Sequence, residues 1–101
     1  KNSVVDIDEK YLELLNLLDA KTYKFNRHNP ETTNTGFIAQ EVLSALKQLE
    51  LSPKDFGGFV DIYGDGSEYA LDYTQFIAIL WKAVQNINQE LANIKQGKEG
   101  R

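Results

Sequence analysis

The apolar positions along this chain switch between helical and alternating spacing, and each switch marks an element. Ile7, Tyr11, Leu14, Leu15 and Leu18 share one helical face. Asp6, followed three residues later by Glu9, reads as a capping box ahead of them. Leu12 and Leu17 lie off that face, which predicts cover on more than one side. A short strand follows at Thr22–Phe25, then a polar stretch from Asn26 to Thr35, containing Pro30, that reads as a surface loop. Helical spacing returns at Gly36 with Phe37, Ile38, Val42, Ala45, Leu46 and Leu49, and Ser52-Pro53 ends it. After the Gly57-Gly58 break, Phe59–Tyr63 and Ser67–Tyr73 flank a Gly64-Asp65-Gly66 turn. Val60 and Ile62 alternate with polar neighbours, as do Tyr69, Leu71 and Tyr73, so the segment predicts a β-hairpin.

The last element carries the most informative pattern. Tyr73, Ile77, Leu80, Val84, Ile87, Leu91 and Ile94 follow one another at steps of 4, 3, 4, 3, 4 and 3 residues. This is a heptad repeat, with Ile77, Val84 and Leu91 at a and Leu80, Ile87 and Ile94 at d. Trp81, Phe76 and Ala83 flank its first half at e and g, so the apolar stripe is wide there; Glu90, Asn88 and Lys95 flank its second half, where it narrows to a seam. The start of the helix is therefore expected to pack into its own domain and the end to pair with copies of itself. Glu90 at g and Lys95 at the following e are spaced to bridge parallel chains. The mixed Leu/Ile order at a and d leans weakly toward three strands over two. The polar residues after Ile94 are expected to fray.

Composition narrows the function classes. The 101 residues and 11.5 kDa suit a single domain over 1–101. Hydrophobic residues at 42% and charged residues at 26% permit a packed core. A chain this short buries only about 65% of its unfolded surface, a margin that oligomerisation can widen. The net charge of −4 argues against nucleic acid as a partner, because phosphate binding needs a basic face. No cysteine is present, which removes thiolate chemistry, disulfides and cysteine-ligated metal. No apolar run reaches membrane-spanning length.

The polar residues offer little chemistry of their own. His28 lies in the polar loop with no evident nucleophile beside it and reads as a solvated histidine. Asp61–Asp72 has the length of a calcium loop, but Tyr63 and Asp72 fall where a carboxylate and a bidentate glutamate are needed, so a hairpin turn is preferred. Asp6, Asp8 and Glu9 are explained by capping. Gln40 and Glu41 fit the exposed first turn of a helix. No metal or other cofactor is expected.

The segment Gly36-Phe37-Ile38-Ala39-Gln40-Glu41-Val42 is the most specific motif in the chain. With it, the leucine-rich helix Tyr11–Leu18, the strand Thr22-Tyr23-Lys24-Phe25, the strand ending Leu71-Asp72-Tyr73 and the helix containing Ala83-Val84-Gln85 occur in one order. Over about residues 1–94 the chain resembles the chaperone-of-endosialidase family, the C-terminal intramolecular-chaperone autoprotease domains of phage tailspikes, tail fibres and neck appendages. The residue pattern by itself gives a small α+β domain with a globular part over about 1–76 and a C-terminal self-association helix, and the resemblance fits that outline. It also implies a helix over about 72–95 forming a parallel trimeric coiled coil, leaving a frayed tail at 96–101. The trimer interface would comprise Ile77, Leu80, Val84, Ile87, Leu91 and Ile94 with Glu90 and Lys95.

By the same resemblance, the domain registers three chains of an upstream fibrous β-structured domain and then cuts itself off. The family's cleavage site has the form Ser-Asp-x-x-x-Lys. Lys1-Asn2-Ser3-Val4 fits the continuation after that lysine, which makes Lys1 the lysine of a serine–lysine dyad, a general base if burial lowers its pKa. The nucleophile belongs five residues before Lys1, and Ser3 is no substitute. The chain is thus expected to be the released fragment, unable to cut in this form. The implied setting is a phage protein made in the host cytoplasm and released from the mature fibre after cleavage. The alternative is a permanent, uncleaved trimerisation module.

Overall fold

The computed structural model describes residues 1–27 and 29–99. His28 and the last two residues of the expected frayed tail lie outside the described residues. The elements are α1 (Glu9–Leu17), β1 (Lys21–Tyr23), β2 (Asn34–Gly36), α2 (Ala39–Gln48), a 3-10 turn (Pro53–Asp55), β3 (Phe59–Asp61), β4 (Tyr69–Leu71) and α3 (Tyr73–Glu99). The class is α+β, with two separate two-stranded antiparallel sheets and a long C-terminal helix. Among the described residues no helix is long and apolar enough to cross a membrane.

Several boundaries differ from those the sequence predicts. The cap of α1 is Asp8, whose carboxylate accepts from the Lys10 amide at 2.9 Å; the helix begins at Glu9, so Glu9 is a first-turn residue and Asp6 caps nothing. Where two aspartates precede a helix, the one nearer the first free amide takes the cap. Leu14 is fully buried, Leu12 is half-buried against the core, and Leu17 remains exposed, so cover on the second side is partial.

The predicted loop over Asn26–Thr35 contains part of a strand. Lys21, Thr22 and Tyr23 pair with Gly36, Thr35 and Asn34, so the strand expected at Thr22–Phe25 starts one residue earlier and closes a hairpin. Asn34-Thr35 carries no apolar alternation, and only its pairing with β1 defines it as a strand. As a consequence the second helix does not start at Gly36. Phe37 and Ile38 are extended lead-in residues, and the Ile38 carbonyl receives the Glu41 and Val42 amides at 3.0 and 3.1 Å.

At its other end α2 closes in a Schellman turn. The Leu51 amide reaches the Leu46 carbonyl at 2.9 Å and the Glu50 amide reaches Lys47 at 3.1 Å, with Glu50 at φ 59°. The second hairpin forms where the sequence places it, pairing Phe59 with Leu71 and Asp61 with Tyr69. Its strands are shorter than expected, Tyr73 belongs to α3, and the phase of the first strand is the reverse of the Val60/Ile62 alternation. The buried face of the hairpin carries Phe59, while Val60 and Ile62 point outward. Asp61 accepts the Gly66 amide with both carboxylate oxygens, at 3.1 and 3.0 Å. In the same turn, hydrogen bonds from the Ser67 hydroxyl and then its amide hold the Asp65 carboxyl below the usual carboxylate range.

The core is assembled from Leu14 of α1, Val42, Ala45 and Leu46 of α2, Phe56, Phe59 of β3, and Phe76 and Ile79 of α3. Helix α3 runs on through Glu99, so residues 96–99, expected to fray, are helical. The molecule extends 60 Å along its longest axis. A helix of this length spans about 40 Å at about 1.5 Å per residue, so much of it projects past the globular part.

Candidate functional site

The Gly36–Val42 motif forms the junction between the first hairpin, α2 and the start of α3. Gly36 ends β2 with Tyr73 directly against it, and an added Cβ would collide with the Tyr73 hydroxyl and lie 3.3 Å from its Cζ. The same hydroxyl accepts the Phe37 amide at 3.0 Å. Phe37 stacks on Tyr73, with ring centroids 6.1 Å apart at 24°, and packs on Phe76 at 5.2 Å. Ile38 and Ala39 are half-buried, and Val42 is fully enclosed in the core. Gln40 and Glu41 are exposed on the first turn of α2, where Glu41 meets Lys21 of β1 at 3.1 Å. Both ends of that ion pair are near half exposed, so it orients β1 more than it stabilises the fold.

The motif is thus a clamp on the first turn of α3, and Tyr73 is the part that the motif residues alone do not reveal. The sequence carries a trace of it: Tyr73 stands one step before Ile77 in the 4-3 series, at a d position. Asp72, just ahead of the helix, accepts the Thr74 amide at 3.1 Å and its carbonyl receives the Gln75 amide at 3.2 Å, fixing where α3 begins. Replacing Gly36 by Ala forces Tyr73 off both Phe37 contacts. We expect a loss of about 1–3 kcal/mol, read as a lower urea midpoint at unchanged slope.

Beyond the clamp, α3 carries two apolar stripes. Phe76 and Ile79, with half-buried Ala83, face the domain. Ile77, Leu80, Val84, Ile87, Leu91 and Ile94 form the other stripe and are each between 49% and 61% exposed. The heptad residues therefore lie off the domain's core for the whole length of the helix. Glu90 and Lys95 are exposed beside the second half of this stripe. A contiguous apolar strip of this length on an exposed helix is the mark of an association surface.

Lys1 is exposed in the segment ahead of α1, which holds no helix or strand, and Val4 and Val5 beside it are exposed too. Among the described residues no cluster of three or more His, Asp or Glu could hold a metal ion. The structure brings the motif and Tyr73 together, leaves the heptad stripe uncovered beside the core-facing side of α3, and leaves Lys1 apart from any partner side chain among the described residues.

Comparison with known proteins accords with the motif. No curated protein and no solved structure matches the chain. The family described as chaperone of endosialidase matches residues 1–50. That stretch holds α1, the first hairpin, the whole Gly36–Val42 motif and α2; the second hairpin and α3 lie beyond it. Through its first half, residues 1–50, the chain belongs to the chaperone-of-endosialidase family.

Proposed function

We propose that this domain is a homotrimeric intramolecular chaperone that brings three copies of an upstream fibrous phage tail protein into register. We further propose that it is then released by autoproteolysis at a serine just upstream of Lys1. The observation that carries self-association is the uncovered heptad stripe on α3, with Ile77, Leu80, Val84, Ile87, Leu91 and Ile94 all about half exposed while Phe76 and Ile79 satisfy the core; three copies in place of two is what the family resemblance implies. A stripe of period 3.5 is covered along its whole length by helices of the same repeat, and other copies of α3 supply them.

The chaperone role follows from the energetics of fibres. Interchain β-structure is built from non-local contacts, so association entropy is lost before any contact forms. A trimeric terminal domain joins three chain ends in advance and raises their local concentration. Its removal takes away the folding nucleus and leaves a fibre whose unfolding is limited by rate. The segment Asn26–Thr35, which runs into β2, and the tip at Gly64–Ser67 are the surfaces proposed to meet the fibre. Lys1 is proposed as the general base of the cut, a role that requires the upstream segment to cover its exposed side chain.

Light scattering on a sizing column over a dilution series tests the trimer. The expected mass is three times the 11.5 kDa of the chain. A monomer at every concentration would refute it. For the cut, Lys1→Ala in the parent protein is expected to block processing while leaving assembly intact; normal processing would remove Lys1 from the mechanism.

A further inference from the structure

We infer that Trp81 of each protomer anchors the trimer by docking on the partner subunit's Phe37–Tyr73 face, so that the Gly36–Val42 motif forms part of the interface between copies. This rests on the trimer proposed above and names a contact outside its coiled-coil seam.

The geometry of α3 gives the direction. At about 100° per residue, position e lies about 40° to one side of a, whereas d and g lie about 60° and 120° to the other. Phe76, a g residue, and Ile79, a c residue, are buried, so each domain hangs on the c/g side of its own helix. The e side is open: Trp81 is 69% exposed, and the groove it lines is formed by residues of α3 itself. In a parallel bundle an e residue faces the g residue five positions earlier on the neighbouring helix. That offset joins Lys95 to Glu90, an attractive pair, and by the same step it sets Trp81 at the level of Phe76 in the next chain.

What surrounds Phe76 at that level is aromatic. Phe37 and Tyr73 lie 5.2 and 5.7 Å from its ring, and Tyr73, at d, is on the flank that turns toward the neighbour's e side. Tyr23, Phe25, Phe37, Ile38 and Tyr73 line an open concavity of about 400 Å³ there, and Phe25 is 54% exposed at its rim. The contact is head to tail, e side onto d/g side, and three such contacts close a ring. A Trp in an aromatic-lined recess is the kind of residue that dominates an interface.

Trp81 is the only tryptophan in the chain, so tryptophan emission reports the surroundings of this side chain, and the Phe37–Tyr73 recess is singled out by the rim variant below. The test measures emission and light-scattering mass on the same dilution series. The expected result is a blue-shifted emission in the trimer that moves to the solvent-exposed value as the mass falls. Trp81→Ala is expected to raise the concentration for half-assembly by about 30-fold or more, with helicity unchanged because the side chain is exposed in the protomer. Phe25→Ala keeps the tryptophan and removes the rim, so its trimer is expected to show a red-shifted emission. A trimer whose Trp81 emits as a solvent-exposed indole, or a Trp81→Ala chain that assembles like the parent, overturns this contact and leaves the trimer standing. A chain that stays monomeric throughout overturns both.

Discussion

Replacing Leu80 with Asp is expected to leave the chain folded and monomeric. Leu80 is about half exposed in the protomer and is not among the buried core residues, so its own domain loses little. In a trimeric seam the same position is enclosed by three helices. An uncompensated charge in such a place costs about 3–5 kcal/mol, and three carboxylates in one layer also repel each other. Ile87→Asp, one heptad further on at the same d position, is expected to do the same. Scattering mass and helicity measured together decide the matter. Intact oligomers of either variant at micromolar concentration would show that the a/d stripe is not the seam.

Phe76→Ala is expected to act in the opposite way, strongly destabilising the domain while leaving the seam residues in place. Phe76 is buried, lies 5.1 Å from Phe56 and 5.2 Å from Phe37, and ties α3 to the rest of the core. Truncating a buried Phe costs about 3–5 kcal/mol through lost transfer energy and the cavity left behind. Against the about 5–15 kcal/mol that a small domain has in total, this is a large fraction. Measured in the Leu80→Asp background, where assembly cannot mask it, the urea midpoint should fall steeply. An unchanged midpoint would mean that α3 is not held to the domain through Phe76. The pair of variants separates the two stripes of one helix: a d residue that governs association and a g residue that governs folding.

The helices were legible because their apolar spacing repeats for several turns. Leu14 and Leu15 in α1, Val42, Ala45 and Leu46 in α2, and the 4-3 series in α3 each leave a helical signature independent of context. The Gly64-Asp65-Gly66 turn was legible for a local reason as well, since Gly64 and Gly66 both sit at positive φ, at 74° and 78°. The boundaries were not. Asp6 and Asp8 are chemically equivalent caps, and which one serves depends on where the first turn starts. Phe37 and Ile38 keep helical spacing with Val42, yet they are extended, because Gly36 is paired in a strand and the Tyr73 hydroxyl holds the Phe37 amide. Strand β2 left no signal, since a three-residue polar strand is defined by its partner rather than by its composition. The phase of the second hairpin was also hidden: Val60 and Phe59 are both apolar, and only packing selected Phe59 for the core.

The periodic features follow from the order of residues alone: an α+β chain, a long terminal helix with a 3.5-residue stripe, and a seven-residue motif specific enough to indicate the family. Local spacing and side-chain chemistry suffice for these, because each is a property of consecutive residues. That α3 is two-faced, with Phe76 and Ile79 in the core and the heptad residues outside it, emerges from the packed fold. It alone joined Gly36 and Phe37 to Tyr73, 36 residues further on from Phe37. Both facts arise from contacts between residues far apart in the chain, where burial depends on which surfaces meet, and no pattern along one segment records that.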